Sequence, residues 1–128
     1  MVKNVRRSAK FYQEVVGLIP ETKPDNDWAW FWAGRPRQSA RLALHKGELL
    51  FEAHSPLPKG KRWGSIHYAF HVPKKKLAAA LKNLRVKGIL VYGPKYFHWM
   101  KASGHYFFDP DGNLIEFWTP EKTEKAKI

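Results

Sequence analysis

Three side chains in strand-like segments of this sequence have the chemistry of metal ligands. Glu52 lies in "LLFEAH", Glu116 lies in "NLIEFW", and His67 begins "HYAFHV". A carboxylate on an apolar strand is costly to bury unless a proton, a cationic side chain or a metal neutralises it. The alternatives are a surface glutamate at position 116 and a salt bridge from Glu52 to a lysine or arginine. One imidazole and two carboxylates form a donor set that divalent metals accept, and we predict a metal site built from these three residues.

The two glutamates lie at matching positions of an internal repeat. The segments "LFEAHSP" (50–56) and "LIEFWTP" (114–120) agree in residue type at an offset of 64 residues. Such self-similarity indicates that one half of the chain repeats the other. Paired repeats would direct both carboxylates into one shared cavity, where we expect the metal.

Two helices and a series of strands must position these residues. Residues 4–16 place apolar side chains on one helical face before Gly17, and a second helix begins at Pro73 and ends at Gly88. "DPDG" predicts a hairpin turn, so Asp109 and Asp111 are interpreted as turn formers. The predicted strands are "DWAWFWA", "RLALH", "LLFEAH", "SIHYAFHV", "ILVYG", "HYFF" and "NLIEFW", and "PKYFHWMKASG" is predicted to be a loop.

This order predicts an α+β fold made of two βαβββ modules that form a half-barrel around a cavity. The whole chain, 1–128, is interpreted as one domain: module one at about 1–56, a linker at 57–64, module two at about 65–120 and a polar tail at 121–128. The first strand of module one is largely missing, because only Met1 and Val2 precede the helix start. Either the sequence is truncated or this protein departs from the symmetric pattern. An unpaired strand edge in module one predicts a homodimer.

Composition limits the classes of function. A chain of 128 residues that is 44% hydrophobic can build one core, and the absence of cysteine excludes disulfides, thiolate catalysis and cysteine-ligated zinc. No apolar run approaches the roughly 20 residues of a membrane span and no signal peptide is present, which predicts a cytoplasmic protein with no membrane partner. The formal net charge of +12 favours an anionic small-molecule substrate. Nucleic acid is disfavoured as a partner, because the cations are spread along the chain without a binding motif.

Three segments carry a resemblance to a known family. "VRRSAKFYQEVVGL", "IHYAFHV" and "YFFDPDGNLIEFW" resemble the vicinal oxygen chelate superfamily, which includes glyoxalase I, extradiol dioxygenases, bleomycin-resistance proteins and fosfomycin-resistance enzymes. The resemblance covers Val2 to Pro120. It implies paired βαβββ modules around a divalent metal (Mn, Fe, Zn, Ni or Co), with His67 and Glu116 as ligands. Relatives take a further ligand from the strand that this chain lacks. Glu52 can fill that place, since glyoxalase-like members use a glutamate from its strand.

The resemblance also suggests residues that contact the substrate. Tyr106 falls where fosfomycin-resistance transferases place a substrate-contacting tyrosine, although "HWMKASG" does not match their potassium-binding loop. Trp30 of "WAWFWA" and His71, on the face of His67, are the other predicted substrate-binding residues. The alternatives are an aromatic core for the tryptophan stripe and a hydrogen-bonded core histidine at position 71.

The predicted function is that of a divalent-metal-dependent lyase, isomerase or transferase of the glyoxalase or fosfomycin-resistance type. Its substrate would be a small oxygen-rich anion, and Glu52 would act as the catalytic base if it is not a permanent ligand. The first rival is a metal-free, drug-sequestering protein of the bleomycin-resistance type, whose cationic ligands a strongly basic protein would repel. The others are an iron-dependent extradiol dioxygenase, usually a longer chain, and a nucleic-acid binder.

Overall fold

The computed structural model describes residues 1–47 and 67–122. The chain divides into two compact units, Met1–Ile66 and His67–Ile128. Each unit has its own β-sheet.

The first unit begins with a helix that its sequence delimits at both ends. Helix α1 spans Val5–Phe11 and continues into a π-helical turn, Tyr12–Val16. The Asn4 side chain accepts a hydrogen bond of 2.9 Å from the backbone N–H of Arg7, which caps the N-terminus. Gly17 ends the helix in the left-handed conformation with φ 87°, a conformation that glycine adopts without steric cost. The helix predicted from residues 4–16 is thereby confirmed, with its last turn widened to π geometry.

Three antiparallel strands follow in the order β1-β2-β3. Their bounds are Ile19–Pro20 for β1, Trp28–Trp32 for β2 and Arg41–His45 for β3. Strand β1 is only 2 residues long and was not among the predicted strands. Before α1, Val2 forms a parallel bridge to Lys46, and its N–H donates to the His45 carbonyl at 3.0 Å. In the described part of the chain, this bridge is all that is present of the first strand of module one. That strand was predicted to be largely missing.

The two faces of β2 differ in burial, and the tryptophans do not lie on the more buried face. Ala29 and Phe31 are fully buried, and α1 packs on β2 and β3. Trp28, Trp30 and Trp32 point to the opposite face and are only half-buried. The interpretation of the tryptophans as plain core is therefore wrong, because the helix covers the face of the smaller residues.

The second unit has the complete βαβββ order. Strand β4 spans His67–His71, helix α2 Lys74–Val86, β5 Tyr92–Phe97, β6 Ala102–Phe108 and β7 Leu114–Pro120. The sheet order is β4-β7-β6-β5, in which β4 pairs with β7 in parallel and the other pairs are antiparallel. The buried core comprises Leu84 of α2 with Phe107, Ile115 and Phe117 of the central strands.

The segment after α2 differs from the prediction. Strand β5 begins at Tyr92 and runs through Pro94, so "ILVYG" is mostly not a strand and "PKYF" is not a loop. A proline argues against a strand when only the sequence is considered, but an edge strand tolerates it. Strand β5 is an edge strand that pairs only with β6, and its register shifts between Tyr92 and Lys95. Strand β6 likewise begins at Ala102, inside the predicted loop.

The turn between β6 and β7 follows its sequence. Asp109 is buried, and its Oδ1 accepts hydrogen bonds from the backbone N–H groups of Asp111 and Asn113 at 2.9 and 2.8 Å. The interpretation of Asp109 as a turn former is confirmed.

The predicted fold class is confirmed as α+β, with two separate sheets and few helices. The predicted linker at 57–64 and the strand "LLFEAH" lie outside the described residues. None of the described helices is long and apolar enough to span a membrane.

Candidate metal site

Glu116 lies at the centre of β7, the second strand of the four-stranded sheet. Its residue partners are Ala69 on β4 and Tyr106 on β6. Only 6% of its surface is exposed, which is rare for a glutamate without a compensating partner. A carboxylate in this position requires a hydrogen-bond donor or a cation beside it.

Tyr106 satisfies one oxygen of that carboxylate. Its hydroxyl donates a hydrogen bond of 3.1 Å to Glu116 Oε1. Burial raises the pKa of the Tyr106 hydroxyl, and the hydrogen bond to Glu116 and its negative charge raise that pKa further. The tyrosine is thus held as a neutral donor that fixes the orientation of the carboxylate.

Gly104 leaves the space that the carboxylate fills. A Cβ atom at this position would collide with Glu116 Oε1 and would lie 3.0 Å from the Tyr106 hydroxyl oxygen. Glycine is uncommon inside strands and often marks the close approach of another group. Here it provides a cradle for the Glu116 carboxylate.

His67 faces the other oxygen of Glu116. Its Nε2 atom lies 3.4 Å from Glu116 Oε2, and 52% of its side chain is exposed. The parallel pairing of β4 with β7 places His67 beside Leu114, two residues from Glu116 on the same face. The structure therefore brings together the histidine and the glutamate that the sequence singled out.

The pair fits a divalent metal in chemistry and spacing. Imidazole nitrogen and carboxylate oxygen are both ligands of zinc and related metals at about 2.0–2.2 Å, which puts two neighbouring ligands about 3.0–3.4 Å apart. The observed separation is 3.4 Å. Without a metal, the same contact is an ion pair whenever His67 is protonated.

A third ligand is not present in the described parts of the chain. Within residues 1–47 and 67–122, no group of three or more histidine, aspartate or glutamate side chains comes together. Glu52, the predicted third ligand, lies outside these residues. Its role stays a prediction.

His71 shares a face with His67 but is exposed. Its ring centroid lies 5.3 Å from that of Trp118, whose Nε1 donates to the Met100 sulfur at 2.9 Å. The interpretation of His71 as a core histidine is wrong, because β4 is an edge strand with little covering it. Its position beside Trp118 leaves it accessible to a ligand.

Trp30 belongs to the first unit, in a stack on the half-buried face of β2. Its ring lies 5.7 Å from that of Trp28 at an angle of 7°, and the Arg41 guanidinium carbon lies 4.3 Å above it. Arg41 also binds Glu21 Oε2 through Nε at 2.7 Å. Sequence reasoning did not single out Arg41 or Gly104, and the only available signal for the latter was a glycine next to an aromatic strand.

Comparisons with known proteins agree with this fold. A sequence model of the Glyoxalase/Bleomycin resistance protein/Dioxygenase superfamily matches residues 1–117. A comparison with curated proteins finds no significant match.

Solved structures include several similar folds. An integron cassette protein from the mobile metagenome of the Halifax Harbour sewage outfall is 28% identical, with a TM-score of 0.69 over 92% of this chain and 90% of that one. Lactoylglutathione lyase from Agrobacterium tumefaciens is 20% identical, with a TM-score of 0.67 over 94% and 88% of the two chains. The fosfomycin resistance protein FosX from Listeria monocytogenes is 14% identical, with a TM-score of 0.64 over 92% and 85%. The last two likenesses concern the fold alone.

Proposed function

The chain belongs to the Glyoxalase/Bleomycin resistance protein/Dioxygenase superfamily, and from that membership we propose that it is a divalent-metal-dependent enzyme acting on a small oxygen-rich anion. The reaction would be a lyase, isomerase or transferase reaction of the glyoxalase or fosfomycin-resistance type. Lactoylglutathione lyase and FosX share the fold, which supports this range of chemistry without selecting one member of it.

The observation that carries the proposal is the contact between His67 Nε2 and Glu116 Oε2 at 3.4 Å. Tyr106 occupies Oε1 of the same carboxylate, so Oε2 is the oxygen left to face the histidine. A surface glutamate would not need a buried position, a tyrosine donor and a glycine cradle together. This combination is what a preoriented metal ligand requires.

The chain's own residues would perform three tasks. His67 and Glu116 would hold the metal, and Tyr106 would keep the glutamate oriented through its hydrogen bond. A bound divalent metal supplies Lewis acidity, which stabilises negative charge on substrate oxygens. The net charge of +12 would raise the local concentration of an anionic substrate.

The remaining roles are also proposals. Glu52 is the candidate third ligand or, if it does not bind the metal, the catalytic base that moves the proton. Tyr106, Trp30 and His71 are the candidate substrate contacts. The accessible face of His71 and the half-buried face of Trp30 support the last two assignments.

Metal content is the decisive measurement. The purified protein, stripped with a chelator and then titrated separately with Mn²⁺, Fe²⁺, Co²⁺, Ni²⁺ and Zn²⁺, is compared with His67→Ala and Glu116→Gln variants by calorimetry and elemental analysis. We expect about one bound metal per chain in the parent protein and at least a tenfold loss of affinity in each variant.

The chain offers a matched control for the glutamate. Glu121 accepts a hydrogen bond of 3.0 Å from the Tyr96 hydroxyl, as Glu116 does from Tyr106, but this second pair is exposed. Glu121→Gln should leave metal affinity unchanged. Equal affinity in the parent, His67→Ala and Glu116→Gln proteins would reject the metal site.

A metal-free ligand-sequestering protein is the second candidate, and the stacked Trp28–Trp30 pair is the observation that favours it. Half-buried indoles provide a surface for flat organic ligands. Arg41 lies over Trp30, which disfavours a cationic ligand at that ring. Ligand binding that is unchanged after metal removal, without turnover, would select this candidate.

We also propose that the protein is a homodimer. Large apolar side chains of the second unit are exposed, including Leu90, Tyr92 and Phe108. Exposed apolar patches of this kind often mark interfaces between proteins. A constant monomer mass in light scattering across micromolar concentrations would reject the dimer.

A further inference from the structure

The first unit contains a groove beside the edge of its sheet. Its volume is about 440 Å³, within the range of about 300–1,000 Å³ that is typical of small-molecule pockets. None of its lining residues belongs to the His67–Glu116 pair. The residues that line it are Ile19, Pro20, Glu21, Thr22, Trp32, Pro36 and Arg37.

One wall of the groove is apolar. Ile19 and Trp32 are direct partners across β1 and β2, and Pro20 continues the same wall. Pro36 lines the groove from the loop between β2 and β3. Proline has no backbone N–H, so the two prolines offer surface for packing and no donor for hydrogen bonds. This wall therefore suits the apolar body of a ligand, with the Trp32 indole as an aromatic face.

Arg37 is held in the groove by an unusual backbone conformation. Its φ is 63°, in the left-handed region that non-glycine residues rarely adopt. The loop around it is fastened by hydrogen bonds: Gly34 N–H donates to Ser39 Oγ at 3.0 Å, and Ser39 Oγ donates to the Arg35 carbonyl at 2.9 Å. Strained residues that the surrounding structure holds in place are enriched at binding sites.

The charge of the groove is set by Arg37. The one acidic side chain in the lining, Glu21, is paired with Arg41 at 2.7 Å. The Arg41 guanidinium carbon in turn lies 5.7 Å from the centre of the Trp32 ring, so the Glu21–Arg41 ion pair is adjacent to the aromatic wall. In the described part of the chain, the Arg37 side chain has no hydrogen-bond or ion-pair partner. The groove thus combines one apolar wall with one uncompensated positive charge.

We infer that this groove binds a small aromatic carboxylate. The ring of the ligand packs on the Trp32 indole beside Pro20 and Pro36, and the carboxylate pairs with the planar guanidinium of Arg37, which accepts carboxylates in a bidentate arrangement. The net charge of +12 adds a long-range attraction for the anion. The inference does not depend on the metal site, because the two sites share no residue.

Calorimetric titration with 2-naphthoate tests this inference. The neutral 2-naphthamide has the same ring system without the charge, and it should bind at least fivefold more weakly. Arg37→Gln should weaken 2-naphthoate at least tenfold and leave 2-naphthamide unchanged. Trp32→Leu should weaken both compounds, because both lose the aromatic wall.

Two controls separate this groove from general attraction of anions and from the metal site. Arg35 lies in the same loop, contacts Gln38 Oε1 at 3.4 Å and does not line the groove, so Arg35→Gln should bind 2-naphthoate as the parent does. Glu116→Gln should also bind it normally. The inference is overturned if 2-naphthoate does not bind at millimolar concentration, if Arg37→Gln binds within twofold of the parent, or if either control variant loses as much affinity as Arg37→Gln.

Discussion

Tyr106 and Glu116 are directly opposite each other on β6 and β7, and the tyrosine hydroxyl donates a hydrogen bond of 3.1 Å to the glutamate carboxylate. This pair lies on the same face of the sheet as His67, whose Nε2 approaches the other carboxylate oxygen. The carboxylate is thus fixed on one side by a neutral donor and presented on the other to an imidazole. Its orientation is set before any ligand arrives.

Removal of the Tyr106 hydroxyl should release this orientation. Tyr106→Phe leaves Glu116 Oε1 buried without its donor, and we expect the free energy of unfolding to fall by about 1–3 kcal/mol. Under the proposed function, metal affinity should fall about 10–100-fold, as for other outer-shell partners. Urea denaturation and metal titration measure the two effects. Tyr96→Phe, which removes the exposed counterpart, should change neither; a parent-like Tyr106→Phe protein would contradict the role of this hydrogen bond.

The absence of a side chain at position 104 should be essential to the site. In Gly104→Ala, the new methyl group collides with Glu116 Oε1, so either the carboxylate moves or the strands separate. We expect a loss of about 1–3 kcal/mol in unfolding free energy, typical of overpacking, with weaker metal binding. Gly34 is the control, because it and Gly104 are the only described glycines without a left-handed φ. A Gly104→Ala protein as stable as Gly34→Ala would argue against the cradle.

His105 should make stability depend on pH. It is buried, its Nδ1 has no hydrogen-bond partner among the described residues, and burial lowers its pKa below the ordinary value of 6.5. Below about pH 6.5, His105 therefore binds a proton in the unfolded chain but stays neutral in the folded chain. The free energy of unfolding falls as the pH falls from the pKa of His105 in the unfolded chain toward its lower pKa in the folded chain. The slope contributed by this one group is at most about 1.4 kcal/mol per pH unit.

Denaturation at pH 7.5 and at pH 5.5 measures this effect. His105→Phe should flatten the dependence, whereas His98→Phe, at an exposed position, should retain the slope of the parent. The same slope in the parent and in His105→Phe would assign the effect to other groups.

The two faces of β2 should respond differently to truncation. Phe31 is fully buried under α1, and Phe31→Ala should cost about 3–5 kcal/mol of unfolding free energy. Trp30 is half-buried and is held mainly by its stack with Trp28 and by Arg41, so Trp30→Ala should cost less than half of that. Equal losses in urea denaturation would restore the interpretation of the tryptophans as core.

Much of the local structure was predictable because its signals are local. Gly17 and Gly88 end helices in left-handed conformations, and Asp109 organises its turn through neighbouring N–H groups. Strand β5 was not predictable in the same way. Proline is disfavoured in strands because it cannot donate a backbone hydrogen bond. Strand β5 tolerates it only because β5 lies at the edge of the sheet.

The candidate site was predictable in its two main residues, whereas Tyr106 was predicted only as a substrate contact and Gly104 was not predicted at all. His67 and Glu116 stand out because a histidine and a carboxylate in apolar strands need partners. Gly104 carried no usable pattern, since the space around a strand residue depends on which strand lies beside it. The tryptophan stripe left a substrate-binding and a core interpretation open for a related reason: alternation separates two faces of β2 but does not say which of them a helix covers.

The sequence by itself determined the helices, most strands and the chemical types of the candidate ligands, because periodicity, capping and charge are properties of neighbouring residues. Only the tertiary structure decided that His67 and Glu116, 49 positions apart, meet within one unit. The reason is the parallel pairing of β4 with β7 across the intervening α2, β5 and β6. Strand order and register are set by how the whole sheet buries its apolar face, and no single segment encodes them.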